Sequence, residues 1–504
     1  FATPVRARTR ILRAVLVLVT LVVISSACGS DAPAERSTAT VPQADPAAPN
    51  VVVIMTDDQT VEQLRVMTRT RELLAGQGTN FTNFVTSFPL CCPSRATFLT
   101  GQYAFNHGVV DNIGPDGGYY QLDNRNTLPV WLQRAGYATD FVGHYLYRYG
   151  TRDRTEVPPG WDRWFSTIDP STFRYFGYTV NDGGTLHQFG HAPEDYQTDV
   201  MADRAVEEIH RLAEGDRPFF LNFWTLAPHV AEPEHSDEPD LEAVPAPRHA
   251  GTFEQDWWTA DQAPSFNEED VSDKPIYVQL NGRFLPVIEI TVQAHHQRAL
   301  ESLLAVDEAV GRIVDALDRT GELANTVIMF TSDNGYLQGE HRFRDAKSLP
   351  YEESIRVPLI IRGPGFPTGA TAPQVTANID LAPTILDLAG VEGSLPEDGE
   401  SLLPIVADPS PPPDDRAVYL QNGPQEQGAG IPHWDGVRVP GFTYVEYEQG
   451  GRELYDLAAD PWQLDNAYGD PAYAEVQREL ARLLVELRGC SGDTCREPRF
   501  SPSG

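Results

Sequence analysis

Two hydrophobic patterns alternate along this chain. Unbroken apolar runs of strand length occur at Asn50–Thr56 (NVVVIMT), Phe219–Trp224, Thr326–Phe330 and Val357–Ile361, as expected for strands buried on both faces. Between them apolar residues recur at helical spacing. Asp199–Ala213 places Val200, Val206, Ile209 and Leu212 on one face, and Ala299–Leu317 does the same with Leu300, Leu303, Leu304, Val310, Ile313, Val314 and Leu317. Strands alternating with helices predict an α/β fold on a large, doubly wound, mostly parallel sheet. Sites in such sheets form beyond the C-terminal ends of the strands.

The pattern changes at Leu403–Asp415, where Pro404 and Pro411–Pro413 interrupt regular structure. Short strand-like pieces follow at Ala417–Gln421, Gly436–Val439, Phe442–Tyr447 and Glu453–Leu457, then a helix at Ala472–Leu487. They predict a small C-terminal antiparallel sheet with one helix, so residues 50–403 read as one domain and 404–504 as a smaller one. At 504 residues the chain is long enough for both. The acidic stretch Glu232–Glu242 reads as a solvated loop.

The N-terminus has a different character. Arg6, Arg8, Arg10 and Arg13 flank an apolar run up to Ile24, followed by Ser25-Ser26-Ala27-Cys28, so residues 1–27 read as a signal peptide. Ala27-Cys28-Gly29-Ser30 is similar to a bacterial lipobox, with Ser25 where leucine is usual. Cys28 is then the lipid-anchored residue, and simple secretion is the alternative. Residues 28–49 are rich in Ala, Pro, Ser and Thr and read as a flexible tether. The expected location is the cell surface, with the membrane reached only through that anchor. A formal charge of −34 argues against nucleic acid or an anionic membrane face as partner.

Of the five cysteines, Cys490 and Cys495 bracket a short loop and are expected to form a disulfide in an exported protein. Cys91 and Cys92 are adjacent and cannot easily bridge each other. Candidate chemistry gathers around them. The first strand ends in Asp57-Asp58, and the strand Thr326–Phe330 runs into Thr331-Ser332-Asp333-Asn334-Gly335. Either could be an ordinary turn. Together at one sheet edge they offer three carboxylates and an amide oxygen, a hard set suited to Ca²⁺ or Mg²⁺ rather than zinc. Pro93-Ser94 suits a helix start, which places Cys91 near amide N–H groups and Arg95 on the first turn. The plain alternative is two buried cysteines beside a helix cap.

The run Cys91-Cys92-Pro93-Ser94-Arg95 followed by Leu99-Thr100-Gly101 resembles the signature of type I sulfatases, in the alkaline-phosphatase-like superfamily. The double cysteine and Asn106-His107 look most like the N-acetylglucosamine-6-sulfatase branch. The resemblance extends from Asn50 to Leu454-Tyr455-Asp456-Leu457 and Asp460-Pro461. It implies a sulfuric ester hydrolase, acting on a sulfated sugar, whose Cys91 is oxidised to formylglycine by a dedicated maturation enzyme. The hydrated aldehyde presents two hydroxyls: one attacks sulfur, and the other later expels sulfate by rebuilding the aldehyde. The resemblance also implies one Ca²⁺, in preference to Mg²⁺, on Asp57, Asp58, Cys91, Asp333 and Asn334. Arg95 would steady the hydrated aldehyde, His229 of Pro228-His229 would contact sulfate and protonate the leaving alcohol, and Lys347 would bind sulfate oxygens.

Two positions depart from the family pattern. His144 in Gly143-His144-Tyr145 stands where the family has lysine, and Gln102 stands where lysine or arginine is common. Both changes are expected to remove positive charge near the anion. His144 either replaces that charge as imidazolium or serves as a neutral hydrogen-bonding or packing group. Tyr147 stands where the branch often has asparagine, which bears on sugar preference. The rival readings are a phosphate or phosphonate ester hydrolase on the same fold, and a catalytically silent carbohydrate-binding relative.

Overall fold

The computed structural model describes residues 48–232, 242–407, 414–423 and 430–501. The expected signal sequence, Cys28, the expected tether up to residue 47, most of the acidic stretch and Pro411–Pro413 lie outside the described residues.

Ten strands form the main sheet. In chain order they are β1 (Asn50–Asp57), β2 (Thr79–Phe81), β3 (Ala138–Gly143), β4 (Arg163–Thr167), β5 (Thr179–Asp182), β6 (Thr185–Gln188), β7 (Phe219–Pro228), β8 (Thr326–Ser332), β9 (Leu359–Arg362) and β10 (Ala370–Ala372). Their spatial order is β10-β2-β9-β8-β1-β7-β3-β4-β5-β6. The central five, β8 to β4, run parallel, while β9 joins β8 and β5 joins β4 antiparallel. The sheet is doubly wound at its centre, and its margins mix antiparallel pairs with one parallel pair, β10 with β2.

The unbroken apolar run of β1 follows from this position. Alternate side chains of a strand point to opposite faces. Val51, Val53 and Met55 enter one core with Phe98, Trp131 and Trp224; Val52 and Ile54 enter the other with Ile209, Leu303 and Val310. Three helices matter most here: α1 (Cys91–Thr100), α2 (Gln197–Ala213) and α3 (Pro286–Thr320). α1 lies in the first layer, α2 and α3 in the second. The predicted apolar positions of α3 are buried except for Leu304, which is partly exposed, and the helix begins thirteen residues before Ala299. Its first turns leave Val287 and Ile290 more than half exposed, so no core-facing stripe marked them in the sequence.

The C-terminal strands β11 (Val418–Gln421), β12 (Trp434–Val439), β13 (Phe442–Tyr447) and β14 (Arg452–Asp456) form an antiparallel meander. Helix α4 (Ala474–Leu487) covers it with fully buried Leu480, Leu483, Leu484 and Leu487, each contributing about 1.5–3 kcal/mol by burial. Cys490 and Cys495 form the expected disulfide just beyond α4. Pro404 sits inside a short helix, Leu403–Ala407, where the sequence pattern suggested a break. Proline is tolerated in a first helical turn because its missing N–H has no partner there anyway.

Candidate active site

The register of the central strands builds the site. β1 pairs with β7 and β8 so that Asp57 lies opposite Pro228 and Thr56 opposite Ser332. Asp57-Asp58, His229 and Asp333-Asn334 therefore leave the sheet at one edge. The Asp333 N–H donates to Thr56 O (3.1 Å) and the Asp58 N–H to Asp333 Oδ1 (3.3 Å), which lock the two acidic turns together. Asp58 has φ 73°, a left-handed conformation uncommon outside glycine.

Helix α1 starts at this edge. Leu90 precedes it in extended conformation, Pro93 falls in its first turn, and Gly101 closes it with φ 69°. The Cys92 N–H donates to Asn112 Oδ1 (2.8 Å), satisfying one of the first-turn amides. Cys91 Sγ lies 3.5 Å from Asp57 Oδ1 and accepts from Lys347 Nζ at 3.1 Å. Cys92 points the other way, is fully buried, and accepts from the Tyr147 N–H at 3.1 Å.

Arg95 is wholly buried and uses four donors on its surroundings. Nε reaches Asp333 Oδ2 (2.8 Å), NH2 reaches Asp57 Oδ2 (2.8 Å), and NH1 reaches the carbonyls of His144 (2.6 Å) and Tyr145 (2.8 Å). It holds the carboxylates in place. Lys347 Nζ also donates to Asp58 Oδ1 (2.7 Å), and Asn334 Nδ2 donates to the same oxygen. His229 Nε2 lies 3.6 Å from Asp58 Oδ2, while its Nδ1 bonds Val230 O at 2.6 Å. A carbonyl requires Nδ1–H, so the proton His229 can exchange is the one at Nε2.

The electrostatics are unbalanced. Burial opposes ionisation of Asp57, but Arg95, His229, His144 and Lys347 hold its carboxyl well below the usual range. Asp333 is pushed up to about 7, first by burial and then by the charge of Asp57, with Arg95 opposing. Burial, then Asp57, raises the Cys91 thiol well above its ordinary value, against Lys347. Unmodified Cys91 is thus a protonated thiol and a poor nucleophile at neutral pH. Burial pushes Cys92 up to about 12.

Ligand atoms of Asp57, Asp58, Cys91 and His229 lie within 4.8 Å of one another. Asp58 Oδ2 and Asn334 Oδ1 are buried without hydrogen-bond partners. Orphaned buried oxygens beside crowded carboxylates fit a hard cation, for which unpaired oxygen is the natural ligand. Asp333 adjoins this group, its Oδ2 drawn to Arg95 and its Oδ1 to two backbone amides.

The two departures resolve differently. His144 is 1% exposed, and burial followed by Arg95 lowers it to about 3, against the pull of Asp57. Its Nδ1 lies 3.2 Å from Asp57 Oδ2, and its ring packs edge-on against Phe173. Neutral imidazole is the form present. Gln102 is corrected: it lies past the far end of α1, about 15 Å along the helix axis from Cys91, and donates to Pro396 O at 3.0 Å. It takes no charge from the anion site. Asn106 and His107 are also structural, bonding Asp398 and Cys490 O, and Thr97, respectively.

A cavity of about 260 Å³ is lined by Leu90, the residue before Cys91, by Lys347, His229 and Tyr147, and by Asp111, Glu232 and Asp345 among others. Sequence reasoning missed the three acidic residues. They come from separate loops and carry no periodicity or spacing that could have marked them.

Residues 49–391 match the family described as Sulfatase, and residues 339–489 match N-sulphoglucosamine sulphohydrolase, C-terminal. An arylsulfatase of Volvox carteri is 33% identical across 89% of this chain and 76% of its own length. Human N-acetylglucosamine-6-sulfatase is 32% identical across 90% and 88%. A solved structure in complex with its substrate, D-glucosamine-2-N,6-O-disulfate, superposes with TM-score 0.73 at 26% identity, covering 90% of this chain and 99% of that one. The chain belongs to the sulfatase family: it is a type I sulfatase, a sulfuric ester hydrolase, of the N-acetylglucosamine-6-sulfatase branch.

Proposed function

We propose that this sulfatase hydrolyses the sulfate ester of a sulfated sugar outside the cell, after a maturation enzyme has oxidised Cys91 to formylglycine. One observation carries the reading: Cys91 Sγ lies 3.5 Å from Asp57 Oδ1 and 3.1 Å from Lys347 Nζ, and Lys347 and His229 line a sugar-sized cleft. The raised thiol supports it, because residue 91 gains a useful nucleophile only by oxidation and hydration. One hydroxyl of the hydrated aldehyde gives its proton to solvent and attacks sulfur as the bond from sulfur to the sugar oxygen breaks. The leaving alcohol takes the proton from His229 Nε2. The second hydroxyl then gives its proton to His229 Nε2, the bond from the residue 91 carbon to the sulfate oxygen breaks as the carbonyl re-forms, and sulfate leaves.

One Ca²⁺, in preference to Mg²⁺, would be held by Asp57, Asp58, Asp333, Asn334 and residue 91. When bound it supplies positive charge that steadies the developing oxyanions. Arg95 keeps Asp57 and Asp333 in place by its four hydrogen bonds. Lys347, already 2.7 Å from Asp58 and 3.1 Å from residue 91, is placed to bind a sulfate oxygen. Export fits the Cys490–Cys495 disulfide, and lipidation of Cys28 would keep the protein at the cell surface.

The test is sulfate release from N-acetylglucosamine 6-sulfate by protein matured in its own host. A chelator should abolish release and added calcium should restore it. Release indifferent to chelation, or none from any sulfated sugar, would refute the reading.

A further inference from the structure

Lys347 lies on an irregular segment, and its place depends on the residues that flank it. On one side the Leu337 N–H donates to Ala346 O (2.8 Å) and the Ala346 N–H to Leu337 O (3.3 Å). On the other side stands Ser348, buried and with φ 64°. A left-handed conformation outside glycine persists where the surroundings hold it. Here four hydrogen bonds do so. The Ser348 N–H and hydroxyl both donate to Pro89 O (3.0 and 3.2 Å), two residues before Cys91. Its carbonyl accepts from Trp434 Nε1 at 3.0 Å and from Asn422 Nδ2 at 3.5 Å. Ser348 thus joins the approach to helix α1 to the C-terminal sheet, while the side chain before it reaches Asp58 and Cys91.

Both donors are themselves held. Trp434 opens β12 and is fully buried. Asn422 follows β11; its N–H donates to Trp434 O (3.1 Å) and its Oδ1 accepts from the Trp434 N–H (2.8 Å). The Gln421 N–H donates to Ser87 O (3.0 Å), which fastens the end of β11 to the chain leading into α1. Ile431, three residues before Trp434, lines the active-site cavity together with Lys347 and Ser348.

Resting on the reading of Lys347 as a sulfate-binding group, we propose that Trp434 and Asn422 are positioning residues, which hold the Ser348 carbonyl and so aim Lys347 at residue 91. The C-terminal sheet is then part of the working active site, although every residue placed at the reacting atoms precedes it in the chain. The physical ground is the nature of lysine. Its ammonium sits on a flexible four-carbon stem, so its reach is set by where the backbone beneath it is fixed. A donor fixed before the reaction stabilises developing charge more than one that must first be ordered.

The experiment uses protein matured in its own host, with N-acetylglucosamine 6-sulfate as substrate and inorganic sulfate as competing anion. Trp434→Phe removes the indole N–H. Benzothienylalanine in place of Trp434 removes it while keeping the bicyclic shape, so the test stands even if the phenylalanine variant does not fold. Each should lower kcat/KM by about tenfold and weaken inhibition by sulfate by a similar factor. Lys347→Ala should do both to a greater extent. In the Lys347→Ala background the change at Trp434 should cost nothing further, because the group it aims is gone; a role confined to stability would give the same proportional loss in both backgrounds. Unchanged kinetics in the Trp434 variants, or an equal loss with and without Lys347, overturns the proposal alone. Sulfate inhibition left intact by Lys347→Ala overturns the Lys347 assignment and the proposal with it. No turnover by the unaltered protein overturns the sulfate-ester reading as well.

Discussion

Two buried charge clusters in this molecule look alike in composition and differ in balance. Asp380 is fully buried, and both its oxygens are met by Arg416 (2.6 Å from NH2 to Oδ1) and by the N–H groups of Ala377 (2.7 Å) and Glu400 (2.9 Å). Nothing there is left over. At the edge of β1 and β8, Asp57, Asp58 and Asp333 face Arg95 and Lys347, with Asp58 Oδ2 and Asn334 Oδ1 orphaned. A saturated cluster ties the fold together; an unsaturated one is prepared for something the chain does not supply.

The sharpest way to break this comparison is to remove one charge from each cluster. Asp58→Asn keeps the side-chain shape and suits the left-handed backbone at this position. It should lower calcium affinity and kcat/KM by at least about 100-fold, with the melting temperature unchanged or raised. Arg416→Met should do the reverse. It strands a buried carboxylate at a cost of about 3–5 kcal/mol, while each folded molecule turns over substrate normally. Denaturant melts and kinetics on both variants check the pair; matching losses of stability would erase the distinction.

A second contrast lies within one turn of α1. Cys91→Ser should reduce steady-state turnover to background, because a single hydroxyl can accept sulfate but has no partner to expel it. Cys92→Ala should cost about 1 kcal/mol of stability and keep most of the activity. If Cys92→Ala were the inactive variant, the nucleophile would be misassigned.

The imbalance also predicts a pH dependence. Asp333 is raised to about 7 in the metal-free site, so below that pH a proton competes with the cation. Calcium affinity should rise up to about pH 7, by at most about tenfold per unit, and level off above it. The linked stability has the opposite sign. The folded metal-free protein holds this proton more tightly than the unfolded chain, so Asp333 withdraws stability as pH rises from about 4 to about 7. Calcium titrations at several pH values, repeated on Asp333→Asn, would reveal whether the inflection belongs to this residue.

The smallest expected effect concerns His144. Lowered to about 3, it is neutral throughout the working range. The pH–rate profiles of the native protein and His144→Lys should therefore share one alkaline limb. A limb shifted to higher pH in the lysine variant would give His144 the cationic role that the structure denies it.

Much of this site was legible because it lies where strands end. The apolar run of β1 located Asp57-Asp58 almost to the residue, and Thr326–Phe330 did the same for Asp333-Asn334. Helix α1 followed from Pro93-Ser94, though it begins two residues earlier at Cys91, while the carboxylates and carbonyls that Arg95 binds come from distant segments. The sheet margins were not legible: β2 and β10 have three residues each, too few for any period to show. Nor was the state of His144, which depends on Arg95 and burial rather than on its neighbours in sequence. Gln102 misled for a related reason, since closeness in the chain became distance along a helix. Lys347 and His229 were found only through the resemblance, because a lysine or histidine on a loop carries no pattern of its own.

The central claim is that residue 91 is converted before this unbalanced site can work. Peptide mass spectrometry of the segment around Cys91, from protein made in its own host, tests it directly. An aldehyde at residue 91, with Cys92 still a thiol, is the predicted result; an unmodified thiol at residue 91 in protein that releases sulfate would contradict it.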